Sequence, residues 1–280
     1  MKASRRTVLI TGATDGIGLA AARELCRRKS RLLLHGRNQE KLEEARKSLQ
    51  AESPDCDVEL YRADLSSMDE VRSLARQIKE KHEALDVLLA NAATFERDFH
   101  LTGDGFERTI AVNHYAHFLL VMLLLDLLKA SSGARIVIVS SVAHSNGRLE
   151  LESPEASRHD GFQAYANSKL FNILFANALA ERLDGTSVTV NSLHPGVINT
   201  KILRENFGMT GAAVESGADT PVFLCVSPSL KDVTGQYFVK RRISEVSHLA
   251  RDKTAREKLW HHSILSLERW LKGPEDEEIA

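Results

Sequence analysis

The stretch "TGATDGIG", residues 11–18, follows the short apolar run "TVLI" at residues 7–10. It decides how the rest of the chain is read. Gly12, Gly16 and Gly18 form G-x-x-x-G-x-G, placed between a strand candidate and a helical pattern that starts near Ile17. A phosphate-binding turn needs that context: glycine permits the tight turn and the close backbone approach, and the helix N-terminus offers unpaired N–H groups with a partial positive charge. Asp15 lies inside the loop and supplies no positive charge there. Backbone N–H groups would hold the phosphate, and the Asp15 side chain would face solvent or cap the helix.

Outward from this loop, β-rich runs alternate with helical patterns. The strand candidates are "TVLIT", "RLLLHG", "VELYRA", "DVLLAN", "ARIVIVSS", "VTVNSLHP" and "GQYFV". They are continuous apolar runs, as strands covered on both faces require. Helical stretches fall between them at Gly18 to Arg28, Gln39 to Ala51 and Met68 to His82. The pattern predicts an α/β fold, a single Rossmann-type doubly wound domain over 1–273 with a seven-stranded parallel sheet flanked by helices. The acidic tail, 274–280, is expected to be disordered.

A formal net charge of −1 gives no general attraction to nucleic acid or anionic membrane. "MKASRR" runs directly into the first strand candidate, so no signal peptide is expected, and the apolar run "FLLVMLLL" is too short to span a bilayer. Cys26, Cys56 and Cys225 are widely spaced and odd in number, so no zinc spacing or disulfide framework follows. A reducing, cytoplasmic setting is expected, with peripheral membrane association as the variant.

The second strand candidate ends in "LLLHGRN". A fold of this kind that binds NAD usually places an acidic residue here for the ribose 2′-hydroxyl. This chain has Arg37 and Asn38 instead. A guanidinium meets a 2′-phosphate with a forked, charge-assisted contact, which favours NADP(H) and leaves NAD(H) as the alternative.

Of the four tyrosines, Tyr165 alone has a lysine four residues on, in "YANSK". On a helix, Tyr165 and Lys169 share a face. Bringing a phenol from about 10 to about 7 takes roughly 4 kcal/mol of preferential phenolate stabilisation. One cation at about 5 Å, with an effective dielectric near 20, supplies roughly 3 kcal/mol.

"TGATDGIG", "VSS" at 139–141, "YANSK" and "HPG" at 194–196 occur in that order, with "ANAA" after the fourth strand and Asn113 in "VNH". The set resembles the classical short-chain dehydrogenase/reductases over nearly the whole chain. Within them, "VNHYAHFLL", "IVIVSSVAH" and "LHPGVINT" look like retinol dehydrogenase-like members. The resemblance implies that Tyr165 exchanges a proton with the substrate oxygen and that Lys169 holds the nicotinamide ribose. It further implies that Ser141, rather than Ser140, holds the substrate oxygen, and that Asn113 organises a proton relay. Gly12, Thr14, Asp15, Gly16, Ile17 and Gly18 would lie along the cofactor with Arg37 and Asn38. Asp64 and Leu65 would sit near the adenine. Asn91 and Ala92 would line the cofactor, and Pro195, Gly196, Val197 and Thr200 would border the nicotinamide. The family's usual N-N-A-G is here "ANAA", and Ala93 would be strained if it had to adopt positive φ.

The stretch 197–216 is expected to form a substrate lid; its Ile202, Leu203, Phe207 and Met209 suggest an apolar substrate. The stretch 146–164 is expected to form a loop at the site mouth. His114 and His117 could in principle ligate a metal, but no third ligand is evident, and no metal is expected. Trp260 and Trp270 are expected to pack over the substrate side of the domain. The expected function is NADP(H)-dependent interconversion of a small lipophilic alcohol and its aldehyde or ketone. The alternative is a catalytically silent NADP(H)-sensing protein. The resemblance also suggests a homodimer through the helices after Asn113 and Tyr165, although the run at Phe118 could equally be core.

Overall fold

The computed structural model describes residues 5–152 and 158–272; the acidic tail at 274–280 and part of the 146–164 loop lie outside the described residues. All seven strand candidates form strands. They are β1 (Thr7–Ile10), β2 (Arg31–Gly36), β3 (Asp57–Arg62), β4 (Val87–Ala90), β5 (Arg135–Val139), β6 (Thr189–His194) and β7 (Tyr237–Val239). The sheet order is β3-β2-β1-β4-β5-β6-β7, and every pair in it is parallel. An eighth strand, β8 (Arg242–Ile243), corrects the expected count and runs antiparallel to β7. Its two residues are exposed, so no apolar pattern marks it. Lys240 and Arg241 form its turn at φ 49° and 62°, a conformation that glycine or asparagine usually announces.

The helices are α1 (Gly16–Arg27), α2 (Gln39–Glu52), α3 (Met68–Lys81), α4 (Arg108–Ile110), α5 (Ala116–Leu123), α6 (Leu125–Ala130), α7 (Gly161–Arg182), α8 (Lys201–Phe207), α9 (Val214–Gly217), α10 (Asp219–Val226), α11 (His248–Arg251), α12 (Lys253–Ser266) and α13 (Glu268–Leu271). A π-helical turn, Ala111–Tyr115, leads into α5. The two sheet faces divide the strand residues by alternation. Val8, Ile10, Leu32 and Leu34 pack under α1, α2 and α10. Leu9, Leu33, Leu88 and Ile136 pack under α3, α5 and α7. Both sets are fully buried, which is why the strands read as unbroken apolar runs.

The run at Phe118 is interior. Residues 116–121 are all buried, and the ring of Trp260 on α12 lies 5.1 Å from that of Phe118. Trp270 is buried near Phe106, and its indole N–H donates to Asp69 at the start of α3 at 2.9 Å. The two tryptophans therefore cover the α3–α5–α7 face and not the substrate side, because α12 runs along α7. The cysteine expectation is corrected too. Cys26, in the last turn of α1, is joined by a disulfide to Cys56, just before β3, with Cα atoms 5.5 Å apart. Thirty residues separate them in sequence, so only the tertiary approach of α1 to β3 reveals the pair. No helix among the described residues is long and apolar enough to cross a membrane.

Candidate active site

The strand order reverses between β1 and β4, and the loops that leave the C-terminal ends of the strands converge there. The Gly-rich loop is built by close contact. Gly12 has φ +66°, and a Cβ on it would lie 2.9 Å from the Cα of Ala92. A Cβ on Gly18 would lie 2.1 Å from the Gly12 carbonyl oxygen. Only hydrogen fits at either position. Asp15 is exposed and caps α1, accepting from the Gly16 N–H at 2.7 Å. Its charge thus faces the positive end of the helix. Ile17 packs near Gly217, Thr14 packs over Gly36, and Thr200, the N-cap of α8, lies beside Gly16.

Asn91 and Ala92 follow β4. Their N–H groups both donate to the Thr11 hydroxyl, at 2.9 and 3.0 Å, and the Asn91 amide donates to the Thr11 carbonyl at 2.9 Å. Ala93 is not among the described residues with positive φ, so "ANAA" is accommodated without that strain. His35, which is buried, accepts from the Gly12 N–H at 3.3 Å and donates to the Ala63 carbonyl at 3.0 Å.

Arg37 is exposed at the end of β2. Asn38 is committed to capping α2, accepting from the Lys41 N–H at 2.9 Å. Asp64 accepts from the Ser66 N–H and hydroxyl at 2.9 and 2.8 Å. Burial works against its charge, but those two bonds and the nearby Arg37 and Arg108 hold its carboxyl below the usual range. Leu65 is buried in the core.

Ser140 and Ser141 diverge. The Ser140 hydroxyl is buried and donates to the Lys169 carbonyl at 2.6 Å. Ser141 keeps partial exposure and accepts from the Ala143 N–H at 3.2 Å. His144 donates to the Ser141 carbonyl at 2.7 Å and accepts from the Ser247 N–H at 3.2 Å. On α7, the Lys169 ammonium lies 5.3 Å from the centre of the Tyr165 ring. Burial pushes the Tyr165 phenol up to about 12, against a Ser141 hydrogen bond that pulls it down. Burial also lowers Lys169 to about 8, which leaves it mostly charged at neutral pH.

Asn113 lies in the π-helical turn, fully buried. Its side chain accepts from the Thr94 N–H at 2.8 Å and donates to the Thr94 carbonyl and the Ser168 hydroxyl, both at 3.0 Å. Ser168 in turn donates to the Tyr165 carbonyl at 2.7 Å. His114 and His117 point apart. His114 meets Ser263 of α12 at 2.9 Å, and His117 meets Thr11 at 2.9 Å. Tyr115 reaches α12 as well, through His262 at 2.9 Å.

A family model for short chain dehydrogenase matches residues 6–210. The chain belongs to the short-chain dehydrogenase/reductase family. It is therefore an NAD(P)-dependent oxidoreductase, related to the retinol dehydrogenases. It is 38% identical to retinol dehydrogenase 14 of Mus musculus, a match covering 91% of this chain and 84% of that one. The fold matches a crystal structure of a putative uncharacterized protein from Mycobacterium paratuberculosis, with a TM-score of 0.78, 30% identity, and coverage of 95% and 94% of the two chains. A putative short-chain dehydrogenase from Escherichia coli in complex with NADPH matches at a TM-score of 0.68 and 25% identity, covering 83% of this chain and 95% of that one.

Sequence reasoning named Phe207 within the expected lid but missed Phe95 and Phe162, which meet it around Tyr165. Phe95 lies 5.6 Å from the Tyr165 ring, and Phe207, from the expected lid, lies 6.0 Å from it. Phe162 completes the group, 5.1 Å from Phe95 and 5.3 Å from Phe207. The stretch 197–216 folds back on itself through a bridge between Ile198 and Ala212, which presents α8 to these rings. The aromatic residues were visible in the sequence, but their convergence from three separate loops and helices was not.

Proposed function

We propose that this oxidoreductase uses NADP(H) and interconverts a lipophilic alcohol with its aldehyde or ketone. The observation that carries the reading is the position of Tyr165. It shares a helix face with a charged Lys169, has Ser141 acting to lower its phenol, and is walled by Phe95 and Phe207, with Phe162 behind them. The aromatic wall supports a substrate with an apolar body and one polar end.

The donor set fits a dinucleotide. The loop N–H groups and the start of α1 suit a pyrophosphate, and exposed Arg37 suits a 2′-phosphate. When bound, the nicotinamide supplies or accepts hydride at C4. Tyr165 gives the proton to the carbonyl oxygen in reduction and takes it back in oxidation. Ser141 donates to the same oxygen and stabilises its developing charge. Lys169 favours the phenolate. Burial pushes the phenol up to about 12, and the Lys169 ammonium 5.3 Å from the ring centre is the cation that opposes it. The stretch 197–216 closes over the substrate, with Phe207 against Tyr165.

Purified protein assayed with NADPH and NADH against retinal, steroid, quinone and aliphatic carbonyls tests the reading. Turnover of an apolar carbonyl with NADPH, abolished in Tyr165→Phe, is expected. Tight NADPH binding with no turnover across the panel would replace it with a cofactor-sensing protein.

A further inference from the structure

We propose that His117 is a positioning residue that clamps the Asn113 segment to the cofactor loops. The inference rests on the functional reading above for its kinetic consequence, and on geometry alone for its effect on cofactor affinity. His117 is 1% exposed and lies one helical turn after Asn113, at the start of α5. Its Nδ1 is 3.1 Å from the Asn113 carbonyl oxygen, and its Nε2 is 2.9 Å from the Thr11 hydroxyl.

The partners determine the tautomer. A carbonyl oxygen only accepts, so Nδ1 carries the hydrogen and Nε2 is bare. Thr11 then donates its hydroxyl hydrogen to Nε2; the Leu89 carbonyl, at 3.4 Å, is the longer alternative acceptor. The Thr11 oxygen is left with two lone pairs, and the N–H groups of Asn91 and Ala92 take them. Every donor and acceptor around His117 is thereby used once. The imidazolium would put a second hydrogen on Nε2, facing an oxygen already committed. Burial keeps the ring neutral and the Lys169 charge acts in the same direction; against the Asn113 carbonyl bond, which opposes them, they lower it to about 4.

The clamp has two ends with different reach. At the Thr11 end it fixes the close of β1 and, through the shared hydroxyl, the loop after β4. At the Asn113 end it seizes a carbonyl in the π-helical turn, where the helical ladder is widened. Asn113 passes that position to Ser168, and Ser168 to the Tyr165 carbonyl. A core histidine that only filled space would have neither linkage.

Three variants separate the ends. His117→Leu removes both hydrogen bonds. His117→Gln keeps an acceptor in reach of Thr11, and His117→Asn keeps a donor in reach of the Asn113 carbonyl. NADPH affinity is measured by fluorescence titration, independent of turnover, and kcat is measured on the best carbonyl of the panel. His117→Leu is expected to weaken NADPH at least fivefold and to lower kcat at least tenfold. His117→Gln is expected to recover affinity but not kcat, and His117→Asn to recover kcat but not affinity. Should His117→Leu fail to fold, the opposed pattern of Gln and Asn carries the test. A folded His117→Leu with both values within twofold of wild type, or Gln and Asn variants that lose both properties equally, would overturn the clamp. Wild-type protein that binds NADPH but turns over nothing would defeat the functional reading and leave the affinity arm to decide on His117.

Discussion

The Ser140 hydroxyl donates to the carbonyl of Lys169 at 2.6 Å, so the residue next to the candidate oxyanion serine is bound to the backbone of the candidate catalytic lysine. Two neighbouring serines thereby separate into a brace and a candidate reagent. Ser141→Ala is expected to lower kcat by about 10²–10³, the usual effect of removing one oxyanion donor, with little change in Tm. Ser140→Ala removes a buried hydrogen bond to a mid-helix carbonyl and is expected to cost about 0.5–1.5 kcal/mol of stability. Parallel thermal melts and steady-state kinetics distinguish the two; a Ser140→Ala defect in kcat with unchanged Tm would reverse the assignment.

Arg37→Asp should move cofactor preference from NADPH towards NADH. Losing a charge-assisted contact and gaining a like charge beside the 2′-phosphate changes the ratio of kcat/KM values by about 10²-fold. The measurement is kcat/KM for both cofactors in both proteins. An unchanged ratio removes Arg37 from the argument.

Phe207→Ala opens the aromatic wall without touching Ser141 or Lys169. For a long apolar carbonyl, KM should rise about tenfold, the loss expected for roughly 1.4 kcal/mol of apolar contact. For a two- or three-carbon carbonyl it should stay nearly constant. Equal losses on both would mean that Phe207 acts on Tyr165 rather than on the substrate.

Acid should destabilise the fold well before the carboxylates titrate. Burial lowers His35 and His117 to about 4 and His114 to about 3, from an ordinary value near 6.5. For His35 the Ala63 hydrogen bond and Asp64 oppose burial. For His114 burial dominates, and a hydrogen bond with Asn172 opposes it. Between these values and 6.5 the unfolded chain binds more protons than the folded one, so stability rises with pH through that window and is lost as pH falls through it. Each histidine contributes at most about 1.4 kcal/mol per pH unit there. Tm measured from pH 7.5 to 5 should fall, and less steeply in His117→Gln. A flat profile over that range would contradict the buried neutral state.

The Gly-rich loop, the seven parallel strands and the order of "VSS", "YANSK" and "HPG" were legible because each is a local pattern with its own physical cause. Asp15 also resolved simply: an acid at a helix start has a cap to make. What escaped the sequence was set by tertiary approach. The β8 hairpin carries neither glycine nor apolar alternation. Cys26 and Cys56 meet only because α1 ends beside the start of β3. His117 invites attention as one of a histidine pair with His114, yet the two rings face opposite elements, and its true partners are 106 and 4 residues away. Trp260 and Trp270 signal a buried face without saying which one.

The family match ends at residue 210, yet Ser247 holds His144, and His262 and Ser263 hold the turn that carries Asn113. Residues 211–272 are thus not an appendage that could be trimmed to a minimal enzyme. Shortening the chain to its matched span would uncover the apolar sides of α5 and α7 and release both histidine tethers together. Folding of the C-terminal helices and assembly of the reaction centre are expected to be one cooperative event, so that proteolysis within α12 extinguishes activity in the same step in which it begins to unfold the chain.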